Sequence, residues 1–235
     1  MSITRTEWQI PAGNNQSFSA YVALPAQKPS AAVVVIQEIF GVNGFIRETA
    51  DDLAAKGFLA VAPDLFWRLE PNVQLTDKSK EEWDKAFGLM NRFDIDQGIR
   101  DIQAVITHTR AQKENTGKVG AIGYCLGGKL AYLTAARTDI DCSVGYYGVA
   151  LETLMGEASS IKSRLMLHIA EEDKFVSKDA QRQIKHALDG NAAVTVHSYA
   201  GVDHAFARMG GEHFDANAAQ LANGRTLDFL RQNLA

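Results

Sequence analysis

Gly123-Tyr124-Cys125-Leu126-Gly127-Gly128 narrows the folds open to this chain more than any other stretch. It follows the apolar run KVGAI at 118–122 and precedes another, KLAYLTAA at 129–136. This is glycine-x-nucleophile-x-glycine between a strand and a helix, a turn so tight that side chains two residues either side of the cysteine would collide. A thiol on that turn stands at the carboxyl end of a strand, in a strained backbone conformation and facing open space. The helix amino terminus beside it favours thiolate over thiol. The Leu126 amide is aimed at the oxygen of an attacked carbonyl. A buried structural cysteine is the competing reading, and it would prevail for an isolated residue. The complete motif in its strand–turn–helix context reverses that judgement.

The rest of the chain supplies a sheet for this turn to cap. Thr4–Ile10 and Ser17–Leu24 read as two strands joined at Gly13-Asn14-Asn15. The continuous apolar run AAVVVI at 31–36 marks a strand covered on both faces. A helix opens at Asn43 or Gly44 and ends at Gly57, and strand Phe58–Ala62 stops at Pro63. The polar stretch Pro71–Glu82 predicts a loop and a short helix over one end of the sheet. Asp94 caps a long helix, followed by strand Lys118–Gly123 and a helix over 126–137. Ile140–Tyr147, Arg164–Ile169 and Ala193–Tyr199 are further strands; helices near Ser177–Leu188 and Ala216–Leu230 complete the series. Strands alternating with amphipathic helices imply a mostly parallel sheet with helices on both faces. Without repeats or a flexible linker, residues 1–235 read as a single domain.

Composition removes several function classes. Hydrophobic residues make up 46% and charged residues 22%, which suits a globular chain with a full core. A net charge of −4 offers no attraction to nucleic acid or an anionic membrane. There is no apolar stretch near the roughly 20 residues needed to span a bilayer, and MSITRTEWQI lacks the pattern of a secretory leader. Two cysteines, Cys125 and Cys142, make no disulfide framework. The cytoplasm is the expected location, where a catalytic thiol stays reduced, and a monomer is expected.

A cysteine nucleophile needs a base, and the base needs an orienting acid. In the α/β-hydrolase fold that the elbow motif implies, these follow in the order nucleophile, acid, histidine. His168 lies inside the apolar run 165–169 and His197 in mid-strand, so both read as sheet histidines. His204 falls in the loop after strand Ala193–Tyr199, where a base must sit to reach the elbow. The loop after Arg164–Ile169 offers Glu171, Glu172 and Asp173, and local reasoning leaves all three open.

Gly123–Gly128, Gly-Tyr-Tyr-Gly at 145–148 and Asp203-His204-Ala205-Phe206-Ala207-Arg208 resemble the dienelactone hydrolase (carboxymethylenebutenolidase) family. Gln37-Glu38-Ile39-Phe40-Gly41 and Arg225–Leu230 fit it as well, so the resemblance covers nearly the whole chain. It implies a triad of Cys125, Asp173 and His204, with the Ile39 amide joining that of Leu126 in an oxyanion hole. It makes Glu38 a regulator that contacts the resting thiol and is displaced by substrate. It also makes Arg208 the holder of a substrate carboxylate, and Phe40 part of the substrate pocket. The family's enzymes carry a second carboxylate-binding arginine and a tyrosine before the long helix; Trp83 and Phe87 stand there instead. Lys85 or Arg92 is the expected replacement cation if one exists.

The implied reaction is hydrolysis of a small ester or lactone through an acyl-thioester, with neutral activated esters taken at least as well as carboxylated ones. No metal or organic cofactor is implied, since His168, Glu171 and Glu172 lack the spacing of a metal site. The rivals are a general carboxylesterase or thioesterase with the same triad, and a non-catalytic relative that binds ligands or proteins.

Overall fold

The computed structural model describes residues 2–235. Strands β1 (Thr4–Gly13) and β2 (Gln16–Leu24) form a hairpin. Its turn places Asn14 and Asn15 at φ 49° and 58°, a conformation that asparagine tolerates better than most residues. The apolar runs supply β3 (Ser30–Ile36) and β4 (Leu59–Pro63), and β4 is buried throughout. β5 (Asn115–Tyr124), β6 (Cys142–Tyr146), β7 (Arg164–Ala170) and β8 (Val194–Tyr199) complete one eight-stranded sheet in the order β1-β2-β4-β3-β5-β6-β7-β8. β2 is antiparallel to both β1 and β4, and every later pairing is parallel. Six parallel carboxyl ends therefore open along one edge, where ligands gather in such sheets.

The helices are α1 (Gly44–Ala55), α2 (Lys80–Arg92), α3 (Ile95–Arg110), α4 (Leu126–Arg137), α5 (Lys178–Leu188) and α6 (Ala216–Leu234). Helices α1 and α6 cover the face to which Ile122 and Tyr124 of β5 point. Helix α4 covers the opposite face. It lies so close that a Cβ on Gly123 would come within 1.9 Å of the Gly127 carbonyl oxygen, and one on Gly127 within 2.4 Å of that of Ile36. Among the described residues no helix is long and apolar enough to cross a membrane.

Five of the six helices begin with a side-chain cap: Asn43, Ser79, Asp94, Ser177 and Asp215 each accept a first-turn backbone N–H. Helix α4, which starts at Cys125, has none. Its amino-terminal N–H groups are thus left without the side-chain acceptor found at the other five.

Three elements differ from the sequence expectation. The short helix over 71–82 is instead a loop to Ser79 followed by the 13-residue α2. Trp83, Ala86, Phe87 and Met90 recur at helical spacing there, behind a polar first turn. A 3₁₀ segment, Leu151–Ser160, follows β6; its three-residue period is not an amphipathic helix pattern. Pro63 lies within β4 as its last residue, opposite Ala20, and Asp64 N resumes the pairing by donating to Ser19 O at 3.0 Å.

Candidate active site

Cys125 has φ 56° and ψ −113°, a combination rarely adopted by residues with a side chain. The bare flanks of Gly123 and Gly127 permit it, and Cys125 N donates to Tyr146 O at 3.1 Å, tying the turn to β6. The thiol is thereby fixed at the uncapped end of α4.

His204 approaches from the loop after β8. Asp203 Oδ1 accepts from His204 N at 2.7 Å and from Lys174 N at 3.0 Å, locking this loop to the one after β7. His204 Nδ1 bonds Asp173 Oδ2 at 2.9 Å, while Asp173 Oδ1 accepts from Phe175 N at 2.8 Å. Both side chains are buried. Of the three acids left open by the local sequence, Asp173 is the one bonded to the imidazole. Glu172 pairs with Lys178 at the surface, and Glu171 has no bond to His204. Burial alone would depress the His204 pKa; the negative charge of Cys125 and the hydrogen bond to Asp173 outweigh it and raise the value.

Cys125 and His204 open on a cavity of about 370 Å3, and so do Glu38, Ile39, Phe40, Trp83, Phe87, Leu126 and Arg208. Asp173 stands behind His204, off the cavity wall. The aromatic side is ordered by contact: Trp83 stacks on Phe87 at 5.4 Å and meets Phe40 edge-on at 4.9 Å. Glu38 is buried and neither carboxylate oxygen accepts a hydrogen bond, from Cys125 or any other group. Its closest charged partner is Arg208, with Nε 3.5 Å from Oε2. Burial raises the Glu38 pKa, against the opposing charges of Arg208 and His204. Arg208 is held on a second side by Asp77, Nη1 to Oδ2 3.3 Å, and lies 5.2 Å from the Phe40 ring centre.

Lys85 and Arg92 are not replacement cations at this cavity. Lys85 pairs with Glu70 at the surface, and Arg92 turns back to the Gly88 carbonyl. Besides Arg208, the cation that borders the cavity is Lys129, one turn beyond Cys125 on α4. Sequence reasoning also passed over Asp77, Phe175 and Tyr147. Phe175 packs edge-on against His204 at 4.8 Å. Tyr147 is buried, has φ 38°, packs 5.0 Å from the His204 ring and leaves its hydroxyl without a partner. The Gly-Tyr-Tyr-Gly motif flagged its position but not its contacts. A second cavity, about 390 Å3 between α1 and α6, is as roomy but is bordered by neither cysteine nor histidine. Chemistry, and not size, separates the two.

The sheet order, the strained cysteine between β5 and α4, and the acid and histidine carried by successive later loops define an α/β-hydrolase with a thiol at its elbow. The pattern of the dienelactone hydrolase family matches residues 18–234, and the chain belongs to that family. It is 52% identical over 231 residues to a protein of Azospirillum brasilense provisionally named a carboxymethylenebutenolidase, covering 97% of this chain and 99% of the relative. It is 40% identical over 221 residues to the carboxymethylenebutenolidase of Pseudomonas putida, covering 94% of each. Its fold matches a crystal structure from Klebsiella pneumoniae, provisionally described as a dienelactone hydrolase, with a TM-score of 0.86 at 23% identity, covering 99% of this chain and all of that one.

Proposed function

We propose that this chain hydrolyses a small ester or lactone with a Cys125–His204–Asp173 triad, through an acyl-thioester. The observation that carries the reading is the meeting, at one cavity, of a strained cysteine at an uncapped helix end and a histidine bonded at its other face to a buried aspartate. Each part has a chemical use. His204 takes the thiol proton and Asp173 orients and stabilises the resulting imidazolium. The thiolate attacks the carbonyl carbon, and the amides of Leu126 and Ile39 hold the oxyanion. As the tetrahedral intermediate collapses, the carbon–oxygen bond to the leaving group breaks and His204 returns its proton to that oxygen. Water, deprotonated by His204, then attacks the thioester and releases the acid and the thiol. Thiolates expel enolates and phenolates readily, so enol-lactones and aryl esters suit this site better than amides. Glu38, next to Arg208 and the imidazole, tunes the charge around the thiol.

The names of the relatives point the same way, since a carboxymethylenebutenolidase is a lactone hydrolase. We further propose that the protein works as a monomer in the cytoplasm, where Cys125 and Cys142, both unpaired, remain reduced. Turnover of a panel of lactones and aryl esters by the wild type, beside Cys125→Ala, tests the function. An acyl adduct trapped on Cys125 by His204→Ala, seen by mass spectrometry, tests the thioester. Wild-type activity that survives Cys125→Ala would refute the mechanism.

A further inference from the structure

We propose that Asp77 is a specificity-determining positioning residue, a built-in counter-ion that holds and neutralises Arg208 so that the cavity selects esters lacking an ionised carboxylate. This rests on the hydrolase reading above and adds to it the substrate class and the residue that sets it.

Arg208 is the one arginine bordering the cavity among the described residues. Its side chain is only 9% exposed, so water does little to screen it. A guanidinium in that position would ordinarily serve as a ready clamp for a ligand carboxylate. Here two of its nitrogens already face protein carboxylates, Nη1 toward Asp77 and Nε toward Glu38. The Asp77 side chain is as buried as that of Arg208, yet it does not border the cavity. It therefore acts on ligands only through the arginine.

The placement of Asp77 is built by its neighbours. Leu75 N donates to Phe40 O at 2.9 Å, and Thr76 donates through both N and Oγ1 to Glu82 at the start of α2. Trp83 Nε1 donates to the Asp77 carbonyl at 3.1 Å, so the same loop positions the aromatic wall. Lys78 Nζ reaches Asp77 Oδ1 at 3.3 Å.

The charges decide what can enter. Asp77 faces Arg208 from one side and Glu38 from the other, while Lys78, largely exposed, meets the second oxygen of Asp77. A ligand carboxylate seated on Arg208 would crowd a guanidinium that Asp77 already faces. Like charges within about 4–6 Å repel strongly where water is excluded. The other cation on the wall, Lys129, shares it with Glu152, whose Oε2 is buried and unpartnered. Arg208 thus faces two protein carboxylates, while Phe40, Trp83 and Phe87 offer an apolar surface to a neutral group.

The test is a matched pair of phenyl esters, phenyl pentanoate and phenyl hydrogen glutarate, in which a terminal methyl is replaced by a carboxylate. Wild type should favour the pentanoate in kcat/KM by about tenfold or more. Asp77→Asn should raise the glutarate-to-pentanoate ratio by roughly ten- to a hundredfold, chiefly through KM for the glutarate ester. Asp77→Glu, which returns the charge, should stay near the wild-type ratio, and Asp77→Ser replaces Asp77→Asn if that protein does not fold. An unchanged ratio in the neutral variants, or the same shift in Asp77→Glu, overturns the proposal while leaving the hydrolase reading intact. If the wild type turns over neither ester, the hydrolase reading fails and binding decides the matter. Calorimetry with phenyl hydrogen glutarate should then give about tenfold tighter binding to Cys125→Ala/Asp77→Asn than to Cys125→Ala, and equal affinity overturns the proposal.

Discussion

His168 and His204 occupy two regions that look alike by burial and differ in everything that matters for chemistry. His168 sits on β7 beneath α6, 1% exposed; His204 sits in the loop after β8, 5% exposed. The nitrogens of His168 meet hydroxyls only, Tyr199 at 2.7 Å and Thr226 at 2.9 Å. Thr226 in turn meets Tyr146 at 2.6 Å, and the network runs on through Tyr146 to Asn223 and through Tyr199 to Arg225, so no carboxylate bonds the ring. Burial, aided by the charges of His197 and Arg225, pushes the His168 pKa well below the ordinary imidazole value. His204 Nδ1 meets a carboxylate, the Cys125 thiol shares its cavity and adds negative charge, and the imidazole pKa moves up. A buried imidazole is therefore inert or reactive according to the charge of its partners, and burial alone does not decide.

The largest expected effect is on the charged partner of His204. Asp173→Asn should lower kcat on the order of 10²–10⁴-fold, because the imidazole loses the acceptor that fixes its tautomer. Glu171→Gln and Glu172→Gln should change little. Steady-state kinetics on an aryl ester checks this, and a large loss at Glu171 or Glu172 with an active Asp173→Asn would reverse the assignment.

Next in size is the contrast between the two thiols. Cys142 is fully buried in β6, and burial pushes its pKa up to about 12. Cys125 borders the cavity, as does His204. Brief treatment with iodoacetamide should label Cys125 at least about a hundredfold faster, since thiolate fraction and access both favour it. Peptide mapping reads the result, and comparable labelling would remove Cys125 as nucleophile.

The comparison then predicts a split between stability and activity. His168→Gln should cost about 1–3 kcal/mol by leaving hydroxyls of its network without partners. Denaturant unfolding should register that loss while kcat/KM stays close to wild type. A collapse of activity in a folded His168→Gln would mean that the two regions are coupled.

The smallest effect is a slope. A depressed folded-state value means that the unfolded chain binds the His168 proton more readily. Stability is then complete above the unfolded value and drains away as pH falls from there toward the folded one. Wild type should lose stability relative to His168→Gln below about pH 6.5, by up to roughly 1.4 kcal/mol per pH unit. The raised value at His204 acts in the opposite sense: its contribution is full below the unfolded value and is lost as pH rises through the folded one. Parallel stability–pH curves for wild type and His168→Gln would contradict the account.

The periodic elements were legible because one residue's environment repeats at the next turn or the next pleat. AAVVVI had to be a strand buried on both faces, and the glycines around Cys125 had to admit a close helix. Helix α2 was obscured by the polar turn Lys80-Glu81-Glu82, although Ser79 and Glu82 are spaced as a cap. The elbow cysteine and the loop position of His204 could be read locally, since each depends on its own segment. The pairing of Asp173 with His204 could not, because three acids in one loop present the same chemistry until the β7 and β8 loops are set side by side. The environment of Arg208 depended still more on packing. The sequence by itself determined a strand–cysteine–helix turn on a parallel sheet and a histidine able to reach it. Only the tertiary structure decided that Arg208 meets Glu38 and Asp77, and that Lys85 and Arg92 face away. The physical reason is range: backbone turns and amphipathic faces are fixed by neighbours a few residues away. Charge pairing in a buried site is fixed by which distant segments the core brings within a few ångströms of one another.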